Sequence, residues 1–373
     1  MIKRLLEDSI NQKLTLGKVI IVLGPRQTGK TTLLNEVCKN RDCLTLDGDD
    51  PIDRELLLNA NKKKLQQIIG NHKFVFIDEA QRIKNIGLTL KIITDQIAGV
   101  QLLVSGSSAL ELANEINEPL TGRKWEYMLY PISWKELVAH SGYLDATKQL
   151  EQRLIYGMYP DVVMNLGEEK EILQQLSSSY LYKDLLSYQG IRKTDLIEKL
   201  LKALAFQVGN EVSYNELSQL LGVDKNTINH YINLLEKAFI VYRLPSYSRN
   251  TRNEIRNNRK IYFYDNGIRN AIIANFQPLG LRQDVGALWE NFLMSERLKY
   301  TRYSNIWANR YFWRNYQQRE IDYIEERDGK LFAFEFKWNK KKNVRFPKAF
   351  TNAYPNAEIR LVTPDNFDEF LGG

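Results

Sequence analysis

The chain has 373 residues, 43% of them hydrophobic and 26% charged, a length that allows two or three domains with sizeable cores and a composition ordinary for a soluble globular protein. Lys and Arg number 52 against 45 Asp and Glu, leaving a formal charge of +7 and a pI near 9.0, a mild bias towards anionic partners. Two cysteines, Cys38 and Cys43, exclude a disulfide framework and read as a pair of buried thiols, while the scattered His72, His140 and His230 lack zinc spacing and give a histidine triad no motif support.

The first stretch, MIKRLLEDSINQKLTLGK, interrupts its apolar residues with charges and amides and carries no signal-peptide pattern. The longest apolar runs, VIIVLG and FVFI, are strand-sized. A cytoplasmic location with no membrane partner is the expectation.

KVIIVLGPRQTGKTTLLNEV, residues 18–37, predicts a buried strand, a tight loop and a helix in immediate succession. The loop Gly24-Pro25-Arg26-Gln27-Thr28-Gly29-Lys30-Thr31, followed by Thr32, fits G-x-x-x-x-G-K-[ST], and the helix has Leu33, Leu34 and Val37 on one side. The glycines let backbone N–H groups turn inward around phosphate, and the helix N-terminus adds its positive end. Lys30 is expected on the β- and γ-phosphates, and the Thr31 hydroxyl on Mg²⁺. A chance glycine turn before a helix is the bland alternative.

HKFVFIDEAQRI, residues 72–83, is a second buried strand ending in adjacent acids. Asp78 fits the Mg²⁺ carboxylate and Glu79 the base for an attacking water, which points to hydrolysis. VQLLVSGSSALEL, residues 100–112, predicts a third strand; Ser105 or Ser107 could sense the γ-phosphate, or simply supply turn chemistry. In LTGRKW, Arg123 fits an arginine finger, in cis or from a neighbouring subunit, or an exposed surface charge. Strand and helix patterns alternate at 18–37, 43–70, 73–98 and 101–116, predicting a parallel sheet with helices on both faces.

From about residue 130 the pattern turns helical. SWKELVAHSG and residues 148–166 read as short helices, YPISW and GMYPDV as turns, and EKEILQQLSSSYLYKDLLSY as an amphipathic helix, together a lid-like segment. Residues 196–265 predict a winged helix. LIEKLLKALAFQVGN closes at Gly209, SYNELSQLLG has Ser213 and Glu216 in capping-box spacing and stops at Gly222, and KNTINHYINLLEKAFIVYRL begins a second helix three residues later. On DNA, Lys225, Asn226, Thr227, Asn229 and His230 would lie near the start of the reading helix, and Arg249, Arg252, Arg256, Arg259 and Lys260 would meet phosphate. A rigid spacer or a protein-binding module fits the same pattern.

QDVGALWENFLMSERLK, residues 283–299, reads as an amphipathic helix, followed by the strands NIWANRYFWRN, EIDYIEE and KLFAFEFKW. Period two puts Glu320 with Asp322, and Glu335 with Lys337, each pair on one strand face. Glu290 on the helix with Asp322, Glu335 and Lys337 on the strands follows the order of a PD-(D/E)XK nuclease core, whose chemistry needs clustered carboxylates on a divalent ion and a lysine beside the attacking water. Carboxylates and lysines are also common on any charged sheet, and the scaffold exists without cleavage.

With these residues in hand, the chain resembles a large prokaryotic family of AAA+ class ATPases that carry a C-terminal domain of unknown function. The resemblance spans nearly the full length, in GPRQTGKTTLL, LTLD, FVFIDEAQRI, LLVSGSSALEL, LTGR, YPISWKEL, GMYPDVV, KIYFYDNGIRNA, GALWENFLMSER, FWRNYQQREIDYI and FAFEFKW. It implies an α/β multidomain protein: a P-loop parallel-sheet ATPase core over 1–130, a helical lid over 131–195, a winged helix over 196–265 and a restriction-endonuclease-like domain over 266–373. ATP-site roles carry over to Gly24, Gly29, Lys30, Thr31, Asp78 and Glu79, and nuclease-like roles to Glu290, Asp322, Glu335 and Lys337. ATP, Mg²⁺ and a second divalent ion in the C-terminal domain are the implied cofactors, with DNA and further subunits as partners. Two functions stand open: an ATP-driven DNA-associated machine, or a nucleotide-operated switch that binds a partner without cutting.

Overall fold

The computed structural model describes residues 1–15, 17–107, 116, 118–180, 194–248, 259–339 and 346–372. They form two compact units, Met1–Ile132 with Lys237–Phe239, and Ser133–Glu236 with Ile240–Gly373. No described helix is long and apolar enough to cross a membrane.

In the first unit, β1 (Val19–Leu23), β2 (Cys43–Asp47), β3 (Phe74–Asp78), β4 (Gln101–Gly106) and β5 (Lys124–Met128) make one parallel sheet in the order β2-β3-β4-β1-β5. Every residue of β1 and β4 is buried, which is why β1 reads as an unbroken apolar run, and β4 as the run Leu102–Val104 between Gln101 and Ser105, rather than as alternation. Helix Lys30–Cys38 buries Leu33, Leu34 and Val37, each stabilising the unit by roughly 2 kcal/mol. The expected strand–helix unit over 43–70 resolves into β2 and two short helices, Pro51–Leu57 and Lys62–Ile69. The break is local chemistry: Asn59 takes a φ of 50°, and Asn61 caps the second helix by accepting from Lys64 N. The thiols of Cys38 and Cys43 face each other 2.7 Å apart.

The second unit begins with helices Trp134–Ser141, Tyr143–Lys148, Leu150–Tyr156, Pro160–Met164 and Glu169–Gln175. The first opens on a reciprocal capping box between Ser133 and Glu136. Helices Thr194–Phe206, Tyr214–Leu221 and Lys225–Lys237 follow. The last two meet at Gly222, whose φ of 65° ends one helix, and at Asp224, which accepts from Asn226 N and Thr227 N to start the next. With them go β6 (Glu211–Val212), β7 (Val241–Pro245) and β8 (Arg259–Phe263), an antiparallel sheet in the order β6-β8-β7.

The chain ends in a second sheet of β9 (Asn309–Arg314), β10 (Glu320–Arg327), β11 (Lys330–Phe336) and β12 (Glu358–Val362), in the order β12-β11-β10-β9. The pair β11–β12 is parallel and the other pairs are antiparallel. Trp313, Ile321, Ile324, Ala333 and Phe350 form a core on this sheet. Just after β7, Tyr247 N donates to Phe312 O of β9 at 2.6 Å, so the two sheets of this unit are joined through backbone.

Helix Val285–Tyr303 departs from the amphipathic expectation. It buries Asn291, Glu296, Arg297 and Lys299 along with Leu288, Trp289 and Phe292. Asn291, Glu296, Arg297 and Lys299 all have partners, whereas the Trp289 indole nitrogen is buried with none. Arg297 grips Glu325 through two nitrogens at 2.6 and 2.8 Å, Glu296 accepts from Trp134 N and Lys299, and Asn291 pairs with both backbone groups of Phe263. Buried charge persists only under such pairing.

Candidate functional site

The P-loop leaves β1 at Gly24, and only glycine fits there: a Cβ would sit 2.1 Å from the Leu129 carbonyl oxygen. That carbonyl is fixed because Leu129 N donates to Leu23 O at 2.7 Å. Gly29, with φ 90°, turns the chain into the helix beginning at Lys30. Lys30 is buried and donates to the Gly24 and Pro25 carbonyls at 2.9 and 2.8 Å; the buried Thr28 hydroxyl donates to Pro25 O as well. Arg26 is half-buried, and Gln27, Thr31 and Thr32 are exposed. Arg4, which the sequence motif does not include, donates to the Thr28 carbonyl and the Tyr130 carbonyl, each at 2.6 Å.

Beside the loop, β4 lies between β1 and β3, so the ends of all three strands are neighbours. Asp78 closes β3 and accepts from the fully buried Ser105 hydroxyl on β4. Glu79 N donates to both Asp78 Oδ1 and Ser105 Oγ, at 3.1 and 3.2 Å. Glu79 has a φ of 45°, and Gly48 is needed opposite it, since a Cβ there would stand 2.4 Å from the Glu79 carbonyl oxygen. The Glu79 carboxylate accepts from the Gln81 amide and from Ser107 Oγ at 3.3 Å, and the Gln81 amide also donates to Ser107 Oγ at 2.8 Å. The two serines therefore divide the work: Ser105 holds Asp78, and Ser107 belongs to Glu79. Gln81 escaped the sequence reading, although its place two residues after Glu79 was a usable signal.

Arg123 is not brought to the P-loop within one chain. Its carbonyl accepts from Val19 N at the start of β1, the opposite end of that strand from Gly24. Its Nε lies 2.6 Å from Asp95.

In the second unit, Glu290, Asp322, Glu335 and Lys337 come together. An extra residue in β10 between Ile321 and Ile324, relative to β9, marks a bulge at Asp322; such a bulge re-aims a side chain. Phe336 N donates to Asp322 Oδ2 at 2.7 Å, and Lys337 Nζ lies 2.7 Å from Glu335 and 4.0 Å from Asp322. Burial, with Asp322 adding to it against Lys337, pushes the Glu335 carboxyl up to about 7. Burial likewise pushes Glu290 up to about 7, opposed by Lys260 and reinforced by Asp322.

Three expectations for a DNA face need correction or limits. Lys260 does not lie on a phosphate-facing wing: it is buried, 2.9 Å from Glu290 and paired with Glu320. Burial alone would lower its ammonium, but Glu290, Asp322 and Glu320 hold it above the ordinary lysine value. The Thr227 hydroxyl is engaged by Asp224 at 2.5 Å as part of the helix cap, and Asn229 accepts from Arg243 at 3.2 Å. Lys225, Asn226, Asn229 and His230 are exposed and Arg259 is half-buried. Arg249, Arg252 and Arg256 lie outside the described residues.

The second divalent site does not fit. Among the described residues no three carboxylate, imidazole or thiol groups are grouped to hold a metal ion, and the cluster around Glu290 already contains the Lys260 ammonium.

Residues 16–138 match a family model described as AAA domain, residues 147–281 a domain of unknown function (DUF8612), and residues 285–371 a domain of unknown function (DUF4143). An uncharacterized protein of Mycobacterium tuberculosis is 27% identical over 337 residues, covering 88% of this chain and 72% of its own length. One of Haemophilus influenzae is 28% identical over 283 residues, covering 68% and 69%. The Walker-type ATPase of Pyrococcus abyssi is similar in fold, with a TM-score of 0.51 at 15% identity, over 73% of this chain and 96% of that one. The parallel sheet, the loop over residues 24–31 and the AAA match agree: the N-terminal part of this chain is a P-loop domain of the AAA ATPase type.

Proposed function

We propose that the protein binds and hydrolyses ATP in its N-terminal unit and uses the hydrolytic cycle to control how its second unit engages DNA. The observation that carries the ATP reading is that the P-loop after β1 and the acids Asp78 and Glu79 at the end of β3 leave the same edge of one parallel sheet, with β4 between them supplying Ser105 to Asp78 and Ser107, just beyond β4, to Glu79. In this reading the loop N–H groups cradle the phosphates, and the Lys30 ammonium exchanges the Gly24 and Pro25 carbonyls for β- and γ-phosphate oxygens. Thr31 and Asp78 would hold Mg²⁺, which supplies neutralising charge to the phosphate oxygens. Glu79, oriented by Gln81 and Ser107, takes the proton of the water that attacks the γ-phosphorus, and the products are ADP and phosphate.

The DNA part rests on element order. Helix Thr194–Phe206, β6, helices Tyr214–Leu221 and Lys225–Lys237, then β7 and β8 follow the order of a winged helix, with Lys225, Asn226 and His230 exposed at the start of the second of the paired helices. The last sheet with helix Val285–Tyr303 is read as the nuclease-like scaffold. A second reading, a nucleotide-operated switch that binds its partner without cutting, is favoured by Lys260 sitting among the acids a nuclease would use.

Release of phosphate from ATP by the purified chain with Mg²⁺ tests the main claim. Turnover lost in Lys30→Ala is expected, and turnover retained in that variant refutes the assigned phosphate site. In parallel, Lys225→Glu is expected to weaken binding to duplex DNA and flatten its salt dependence by about one phosphate contact; unchanged affinity removes that helix from the DNA face. DNA cleavage lost in Glu335→Ala would exclude the switch reading.

A further inference from the structure

The carboxylates of the second unit surround a cation that belongs to the chain. Lys260 projects from β8 with its side chain 1% exposed, donates to Glu290 Oε1 at 2.9 Å, pairs with Glu320 and lies 5.5 Å from the centre of the Phe312 ring. Glu290 stands on helix Val285–Tyr303 and Glu320 begins β10, so one ammonium bridges a helix and a strand. That bridge between Glu290 and the strand acids is the place a catalytic ion would need.

Further donors hold three of the carboxylate oxygens here, one of them the Glu290 oxygen that Lys260 already binds. Tyr262 donates to Glu290 Oε1 at 2.6 Å, Phe336 N to Asp322 Oδ2 at 2.7 Å, and Lys337 to Glu335 Oε1 at 2.7 Å. Arg314 stands 3.7 Å from Glu320. Glu335 Oε2 is buried with no hydrogen-bond partner, and a hard divalent ion takes roughly six oxygen ligands. Four acids, Glu290, Glu320, Asp322 and Glu335, thus share the two ammonium groups of Lys260 and Lys337, with the Arg314 guanidinium beside Glu320.

We propose that Lys260 is the built-in cation of this cluster: its ammonium takes the seat between Glu290 and the carboxylates of β10, excludes a divalent ion from it, and ties the three-stranded sheet to the helix and sheet beside it. With that charge removed, Glu290, Glu320 and Asp322, which are not grouped to hold an ion while Lys260 stands among them, are free to close on a divalent cation. This inference stands on the second unit alone and is independent of ATP turnover.

The test is titration of Mn²⁺ into the nucleotide-free full chain, reading free Mn²⁺ by electron paramagnetic resonance. Uptake is assigned to the cluster only where Glu335→Gln removes it, which separates it from ions at the P-loop. The wild-type chain is expected to show no Glu335-dependent uptake, and Lys260→Met to gain one ion per chain, at least about tenfold tighter than wild type, lost again in Lys260→Met with Glu335→Gln. Should Lys260→Met fail to fold, Lys260→Gln combined with Glu320→Gln removes one charge of each sign and carries the same expectation. Glu335-dependent uptake by the wild-type chain overturns the proposal, and so does a folded Lys260 variant that takes up no ion.

Discussion

Arg4 Nη1 donates to the Thr28 carbonyl at 2.6 Å, so a residue of the N-terminal segment fixes the backbone of the P-loop. Its other terminal nitrogen holds Tyr130 O at 2.6 Å, just beyond β5. Loss of two buried, charge-assisted bonds in Arg4→Ala is expected to lower the stability of the first unit by about 3 kcal/mol and to raise the KM for ATP several-fold, because the loop would no longer be held ready for phosphate. Thermal unfolding measures the first effect, and the rate of ATP turnover against ATP concentration the second.

Gln81 donates to the Glu79 carboxylate and, at 2.8 Å, to Ser107. Gln81→Ala should lower kcat by about tenfold with KM for ATP little changed, the signature of a group that positions a base rather than binds substrate. A higher kcat in the variant would mean that the amide restrains Glu79 instead of aiming it.

Arg123→Ala should leave turnover of the isolated chain unaltered, since this guanidinium is paired with Asp95 and lies at the end of β1 remote from Gly24. Assays over a range of protein concentration test this. A loss of turnover that grows with concentration would identify the residue as a finger acting on a neighbouring subunit.

Asp284 provides the pH prediction. Burial alone would raise its carboxyl, but hydrogen bonds from Arg282 and Arg269 hold it down, from 3.8 to about 2. A depressed folded-state pKa means the unfolded chain binds the proton first on acidification, so the stabilisation is complete above about pH 4 and is lost as pH falls through about 2. It amounts to about 2 kcal/mol. Asp284→Asn should therefore melt at a lower temperature at pH 7 and lose part of its acid dependence between pH 4 and 2; an unchanged acid limb would remove this pair from the stability of the second unit.

The candidate phosphate site is legible because its parts are contiguous. One loop must turn inward, so its glycines, lysine and threonine sit at fixed spacing, and the strand before it and the helix after it announce themselves by burial pattern. Asp78 and Glu79 were equally plain at the end of an apolar strand. The helices Tyr214–Leu221 and Lys225–Lys237 carried their own stop and start signals in Gly222 and in the residues just after it. Local chemistry of this kind survives in any fold that contains it.

Lys260 is the opposite case. In the chain it is one of several basic residues before an apolar strand, and nothing within a turn of it distinguishes it from Arg259. Its partners, Glu290 and Glu320, lie 30 and 60 positions away, and only the packing of β8 against helix Val285–Tyr303 and the last sheet brings them within reach. The same holds for Arg4 on Thr28, for Ser107 on Glu79, and for the buried Arg297 on Glu325. Sequence spacing was enough to establish a P-loop, its acids and the paired helices, because hydrogen bonds along a turn or strand act between near neighbours. Which charges face water and which neutralise each other in the interior was decided by tertiary structure, because desolvation and Coulomb energy depend on distance in space and not along the chain.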